Sequence, residues 1–485
     1  MSKSTNNTTK IAIIGGGIAG SSVALQLGRL GLDVTLFEKS SSLVDGPPMC
    51  HLHAGGNLYR EISEAQCVTL LKESIELLQL YPHAIDYRPT VIAVPLQDQG
   101  EPEHLYPRLN TLRLEYEALI KKDPLNQVLG QPQDYFRLYE RARIEALIDQ
   151  DDDQTLDHLD RWMVPVAKSI DLNKVKFPLV MVQEYGLNMF RIAATVTLAL
   201  NTLENVSIKC NTRVSSITKS ENCWRVGYEK NTIEGNDSFD YIINAAGFQT
   251  GEIDDLLNLK RERLVEFKAA YVTRWKTALN QWPELVFYGE RGTPQGMAQF
   301  TPYPGGYFQL HGMTNSITLF EDGLVKSSAL SAQPKLDQKY IEKITKSWKF
   351  TDAIRRSQSA IDYLSNFIPE FISGQVASKP LYGAQQIPGE DATLRAAAVS
   401  FDSERYARCE IVKASSVLTM ADAITRELIK LNLLEPYSYG NRVFYDMKKM
   451  DENKITALAE IFCKQRGYPS ALAHRVVSNP NDLPS

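Results

Sequence analysis

The segment from Ile11 to Glu38 limits what this chain can fold into more than any other. Ile11-Ala12-Ile13-Ile14 is an uninterrupted apolar run, the pattern of a parallel strand buried on both faces. Gly15-Gly16-Gly17-Ile18-Ala19-Gly20 follows, then a helical pattern from Ser21 to Leu30 that Gly31 ends. Val34-Thr35-Leu36-Phe37 reads as a second strand, with Glu38 and Lys39 at its end. The spacing predicts a β-α-β unit with Gly15, Gly17 and Gly20 in the three fixed positions of a dinucleotide-binding turn. Gly15 allows the tight turn out of the strand. Gly17 lets a pyrophosphate reach the backbone beside the N–H groups of Ile18 and Ala19, and Gly20 lets helix and strand pack closely. Glu38 lies 18 residues past Gly20, where a carboxylate accepts hydrogen bonds from an adenosine ribose and repels a 2′-phosphate. FAD and NAD both suit this unit; NADP does not.

Composition sets the outer limits. With 485 residues, 43% of them hydrophobic, the chain has length for about two to four folding units. A formal charge of −5 argues against bulk nucleic-acid binding, so no nucleic-acid partner is expected. The polar start of the chain has no apolar segment after its lysines, and no apolar run of about 18 residues occurs, so neither a signal peptide nor a transmembrane segment is expected. Cys50, Cys67, Cys210, Cys223, Cys409 and Cys463 include no Cys-x-x-Cys pair. That excludes a zinc ribbon and a thioredoxin-like dithiol, and it fits reduced thiols in a cytoplasmic protein. No metal site is expected.

Tyr241-Ile242-Ile243-Asn244-Ala245-Ala246-Gly247 is an apolar strand running into a small-residue turn, after strand-like stretches at 206–208, 212–217 and 224–228. This order resembles the FAD-dependent oxidoreductases of the D-amino-acid oxidase superfamily. The resemblance implies FAD as cofactor, the backbone at Val214 against its adenine, and Ala245, Ala246 and Gly247 passing close to it. A second likeness is Cys50-His51-Leu52-His53-Ala54-Gly55-Gly56, where the superfamily runs a small-residue loop past the flavin ring. His53-Ala54-Gly55-Gly56 is similar to a string of the sarcosine and dimethylglycine dehydrogenase branch, in which the histidine carries the flavin covalently. His53 is thus a candidate attachment site; in the other reading His51 and His53 only hydrogen-bond flavin or backbone, beside Ala54 and Gly55. Late in the chain, Leu381-Tyr382-Gly383-Ala384-Gln385-Gln386-Ile387-Pro388-Gly389 resembles the family's closing segment, with Gly383 near the cofactor. Ser415 and Ser416 then open a helix whose N–H groups suit the electron-rich pyrimidine edge of a flavin.

The chain also departs from the family. Family oxidases often carry Gly-x-Arg-Pro in the closing segment, the arginine holding a substrate carboxylate. Gln385-Gln386 stands there instead, and Arg395 is the next candidate. A second glycine fingerprint with a redox cysteine pair, a late Gly-Asp segment and an Arg-x-Gly-Gly-Arg string are all missing. Their absence sets aside disulfide reductases, aromatic hydroxylases and the monoamine-oxidase branch.

The expected fold is α/β (α+β overall), a Rossmann-like FAD-binding domain from 1–90, 181–265 and 375–430. A mainly antiparallel-sheet substrate domain, 91–180 and 266–374, interrupts it, and a C-terminal helical extension, 431–485, follows. Tyr307, Gln309 and His311 alternate at period two and so share one strand face. They are the candidate catalytic set, His311 taking a proton from an ammonium or alcohol while hydride goes to flavin N5; the alternative is a solvent-facing polar strand. Asn188 and Arg191 are expected on a substrate-side helix, and the acidic run 151–153 in a solvated loop. The C-terminal extension suits packing, dimerisation or peripheral membrane contact alike. The expected activity is FAD-dependent oxidation of a C–N or C–OH bond in a small amino acid, amine or hydroxy acid, with oxygen, quinone or a redox protein as acceptor. The rivals are a hydroxy-acid:quinone oxidoreductase resembling malate:quinone enzymes, and a non-catalytic FAD-binding protein.

Overall fold

The computed structural model describes residues 9–45, 62–150, 156–221, 223–276, 281–346, 348–395, 397, 399–436 and 445–478. Two large sheets organise them. The first has six strands in the order Val399–Ser403, Tyr406–Cys409, Tyr241–Asn244, Lys10–Ile14, Asp33–Phe37 and Val206–Lys209. All neighbours run parallel except the outer Val399–Ser403, which closes a hairpin. Ile11 and Ile13 face one core while Ala12 and Ile14 face another, which is why this strand has no polar alternation. The helix Ile18–Arg29 starts three residues before the periodic pattern, because the motif's own Ile18-Ala19-Gly20 forms its first turn. Gly31, at φ +85°, takes the left-handed position after it.

The segment at 206–208, expected in a meander, is instead the edge strand of this sheet. The meander is Thr212–Lys219, Trp224–Lys230 and Ile233–Phe239. Its last strand carries Glu234, Asn236, Asp237 and Ser238 mostly toward solvent, so no apolar run marks it in the sequence.

The second sheet has ten strands, built around the long strand Arg263–Arg274. Next to it run Tyr307–Gly312, Ala298–Tyr303, Glu284–Phe287, Thr90–Pro95, Val175–Val182 and Phe136–Tyr139, antiparallel except for the pair Glu284–Phe287 and Thr90–Pro95. Gln375–Val376 and Leu381–Pro388 also pair with Arg263–Arg274. The expected grouping of 375–430 therefore divides: residues up to 388 lie in this sheet, and the chain re-enters the six-stranded sheet at Val399. Local composition does not mark the switch, because both sheets need the same apolar strand residues.

The outer face of the ten-stranded sheet buries Tyr271, Phe300, Phe308 and Leu310 under the helices His158–Ser169 and Phe350–Ser365. Its inner face carries Ile92, Val180, Ala270, Val272 and Val286 into the core shared with Ile11 and Ile13. In the C-terminal extension, Asp451 accepts the N–H groups of Asn453 and Lys454 and so starts the helix Glu452–Gln465, which packs on Met189–Leu200. After Gln465 the expected helical extension is reduced to a short turn, Ser470–Ala473; beyond it Asp86 accepts the N–H groups of Val476 and Val477. Among the described residues no helix is long and apolar enough to cross a membrane, and the five described cysteines are free thiols.

Candidate functional site

The glycine turn is built as tightly as its sequence requires. Gly15 has φ +105°, and a Cβ there would stand 2.4 Å from the carbonyl oxygen of Ala245. A Cβ on Gly20 would stand 1.9 Å from the carbonyl oxygen of Gly15. Gly17 is different: a Cβ there would meet nothing within 4 Å, so the space in front of the turn is open. No side chain caps the helix that starts at Ile18, so its first N–H groups face that space. Glu38 is buried, with Oε2 accepting from Gly16 N at 2.6 Å and Oε1 from Ser40 N at 2.7 Å. Each oxygen keeps a lone pair for a ribose hydroxyl. An open cradle, uncapped N–H groups and an anchored carboxylate fit the ADP half of a dinucleotide.

Ala245 N donates to the carbonyl of Ile14, which draws the small-residue turn against the glycine turn. Asn244 holds its strand end by donating to Tyr406 Oη at 2.7 Å and to the carbonyl of Thr250 at 2.9 Å. Ala246 accordingly lies at the mouth, and Gly247 turns away at φ +60°. Lys39 bonds Gln249 beside this turn. Val214 packs its side chain with Phe37 and Trp224, leaving its backbone in the meander. Ser416 spends its hydroxyl on Glu73 at 2.7 Å, and no side chain caps the helix Val417–Lys430 that follows. Burial raises the carboxyl of Glu73, against the Ser416 and Thr419 hydrogen bonds. His51, His53, Ala54 and Gly55 lie outside the described residues.

Tyr307, Gln309 and His311 do share one strand face, and it is the inner one. Gln309 is 1% and His311 6% exposed, so a solvent-facing polar strand is overturned. Their neighbours Phe308 and Leu310 are held by the aromatic core outside, which forces the polar residues inward. The same face carries a buried ionic row that sequence reasoning missed. Glu284 is wholly buried, bonded by Arg88 and Gln299 and reached by Thr301 at 3.2 Å; Arg88 also pairs with Asp86 at 3.3 Å. Burial pushes the Glu184 carboxyl up to about 8, with nearby Glu284 adding to it and Tyr135 opposing.

Farther along the face, Lys268 pairs with Glu266 at 2.7 Å and donates to Gln385 Oε1 at 3.1 Å. Gly383 is its cross-strand partner. Arg291 bonds Glu266 from a loop, and its Nη1 is buried without a partner. Burial would raise Glu266, but the charges of Lys268 and Arg291 outweigh it and hold the carboxyl low; burial lowers Lys268, which Glu266 only partly offsets. The strand Leu381–Pro388 packs on the turn Gly247–Gln249, so this cationic cluster lies on a strand that borders that turn. Gln385 and Gln386 donate to the carbonyls of Val412 and Cys409, pinning the two sheets together. A signal for Lys268 was present in Leu264-Val265-Glu266-Phe267-Lys268-Ala269, where charge alternates with apolar residues inside a strand. Arg88 and Arg291 stand in loops and gave none.

Other expected residues have different work. Asn188 caps its own helix and donates to the carbonyls of Leu472 and His474. Arg191 bonds Glu452, Thr456 and the carbonyls of His83 and Ala473. Both therefore fasten the C-terminal extension instead of facing substrate. Arg395 bonds the carbonyls of Ala392 and Leu394 in its own loop.

The family model for FAD dependent oxidoreductases, DAO, matches residues 10–361. No curated protein sequence matches the chain. Among solved structures, L-proline dehydrogenase from P. horikoshii is similar with a TM-score of 0.56 at 13% identity, covering 87% of this chain and 94% of that one. L-amino acid deaminase from Proteus vulgaris has a TM-score of 0.54 at 14% identity, covering 93% and 99%. Glycerol-3-phosphate dehydrogenase from Bacillus halodurans, complexed with FAD, has a TM-score of 0.55 at 12% identity, covering 90% and 67%. At these identities the likeness is one of fold.

Proposed function

We propose, from the premise that the chain belongs to the family of FAD dependent oxidoreductases, that it oxidises a C–N or C–OH bond of a small substrate bearing an acidic group. The six-stranded sheet with its meander is taken as the FAD-binding unit, and the ten-stranded sheet as the roof of the substrate cleft. The observation that carries the reading is the buried inner face on which Lys268 and His311 project from neighbouring strands, beside the turn at Gly247. Bound FAD supplies the redox chemistry by accepting a hydride at N5.

The chain's own residues do the rest. Gly17, the first N–H groups of the helix Ile18–Arg29, and Glu38 hold the ADP half. Lys268 and Arg291 outnumber Glu266, leaving a net positive charge in a desolvated place, which favours a carboxylate or phosphate on the substrate. His311 takes the proton released from the substrate amine or hydroxyl, and Gln309 and Tyr307 orient the group that loses it. The substrates named for the similar solved structures, amino acids and a glycerol phosphate, share this acidic group.

Anaerobic titration of the purified yellow protein tests the reading. Bleaching of the flavin by at least one amino acid, N-methyl amino acid, 2-hydroxy acid or glycerol phosphate is expected, with neutral analogues inert. Bleaching by neutral amines or alcohols alone would remove the acidic-group assignment. Retention of flavin in an acid precipitate would assign covalent attachment, with His53 the residue to substitute first; its release would remove that assignment.

A further inference from the structure

A second pocket, of about 1010 Å³, opens at the start of the strand Arg263–Arg274, beyond the part of that strand that faces Tyr307–Gly312. Lys260, Arg261 and Lys326 line it together with Ser327, Ser400 and Glu410. Its volume is that of a small-molecule site. Nothing in the proposed redox reaction uses it.

The charge behind its wall is incompletely satisfied. Arg263 and Arg408 are 1% and 0% exposed and share the buried carboxylate of Asp254. Arg408 Nη1 reaches the pocket wall by donating to Ser400 Oγ at 2.8 Å, and Arg263 Nη2 stands 3.9 Å from Glu410 Oε1. Arg263 Nε, Arg263 Nη1 and Arg408 Nη2 are buried with no hydrogen-bond partner. Buried polar groups are nearly always paired, and charged donors most of all.

Across wall and backing, Lys260, Arg261, Lys326, Arg263 and Arg408 face the carboxylates of Glu262, Glu410 and Asp254, so charge balance depends on carboxylates outside this group. Two further carboxylates, Glu390 on Lys326 and Asp402 on Arg408, are 58% and 41% exposed. The Lys326–Glu390 pair, exposed on both sides, is weak and exchanges readily with another anion. Lysine ammonium groups and hydroxyls on the wall, backed by buried guanidinium charge, suit an oxyanion.

We infer that this pocket is a second ligand site, for a small molecule carrying a phosphate or carboxylate group. Such a ligand takes the place of Glu390 on Lys326, so the cations of the wall stay compensated. It also has a route to the nucleotide turn. Asp254 accepts from Tyr406 Oη, which accepts from Asn244 at the end of the strand that runs into Ala245.

Calorimetric titration of the holoenzyme with pyrophosphate, and separately with succinate, reads the site. One saturable site per chain is expected for at least one titrant, with affinity lowered about tenfold in the Lys260→Gln/Lys326→Gln double variant. Saturation by pyrophosphate alone supports a phosphate ligand, and by succinate alone a carboxylate. Saturation by neither at millimolar concentration, or undiminished affinity in the double variant, overturns the inference. Lys268→Gln should bind with unchanged affinity; loss there would mean that the titrant occupies the cleft, which also overturns it.

Discussion

In the six-stranded sheet the strand Lys10–Ile14 carries apolar side chains on both faces, and beyond its end a helix starts with no side-chain cap on its N–H groups. In the ten-stranded sheet one face is aromatic core, and the other sets Glu284, Gln309, His311 and Lys268 among buried apolar residues, with buried Glu184 just past a strand end. The first arrangement depends on the absence of side chains at a few positions. The second depends on the presence of particular ones, each desolvated. Substitution should therefore fail in different ways in the two sheets: sterically in one, electrostatically in the other.

The largest effect is expected from Gly20→Ala. Its Cβ would meet the Gly15 carbonyl at 1.9 Å, backbone against backbone, so the turn must open at a cost above about 3 kcal/mol. Protein without flavin absorbance and with a markedly lower Tm is expected, whereas Gly17→Ala, with nothing within 4 Å, should fold normally and lose FAD affinity only. Equal thermal stability of Gly20→Ala and wild type would break the steric half of the comparison.

The electrostatic half has a pH signature. Glu184 has a folded pKa raised to about 8, so between its unfolded value near 4.5 and about 8 the folded state holds the extra proton. Stability should then fall as pH rises through that window, by a few kcal/mol in all, and level off above it. Glu184→Gln should flatten that slope in Tm measured from pH 5 to about 9, and an unchanged slope would assign the titration elsewhere.

Lys268→Gln separates recognition from folding. It keeps the bond to Gln385 within reach but removes the cation, so KM for the acidic substrate should rise about 30-fold while kcat changes little. A fall in kcat with KM unchanged would move Lys268 from binding to chemistry. The smallest effect is expected at Arg466, which reaches from the C-terminal extension to the carbonyls of Leu43 and Val44, to Ser42 Oγ, and to Asp45 at 2.8 Å. Val44 N in turn donates to the carbonyl of Gly16. Arg466→Gln should weaken FAD about fivefold, measured by flavin release on dilution, with the cleft unaffected.

The nucleotide unit could be read because its constraints are local. Strand, turn, helix, strand and acid lie within the 28 residues from Ile11 to Glu38, and each glycine has a steric reason that a spacing rule captures. The inward face of Tyr307, Gln309 and His311 was half legible: period two gave the shared face, but not which side was buried. Only Phe308 and Leu310, locked against the helix-covered core, decide that. Asn188 and Arg191 were misassigned because their partners, near residues 452–474, are more than 250 residues away.

By itself the sequence determined that the chain takes FAD, that its first 28-residue unit is a strand, a glycine turn, a helix and a strand, and that strands outside that unit build a separate sheet. Glycine spacing and alternation of polarity are properties of neighbouring residues. The tertiary structure alone decided that Gln385 and Gln386 pin the sheets together while Lys268 supplies the cation beside them, and that the C-terminal extension clamps the turn at 42–45. Those roles arise from charges brought together across strands and desolvated on folding, and the strength of such contacts depends on burial that no local pattern records.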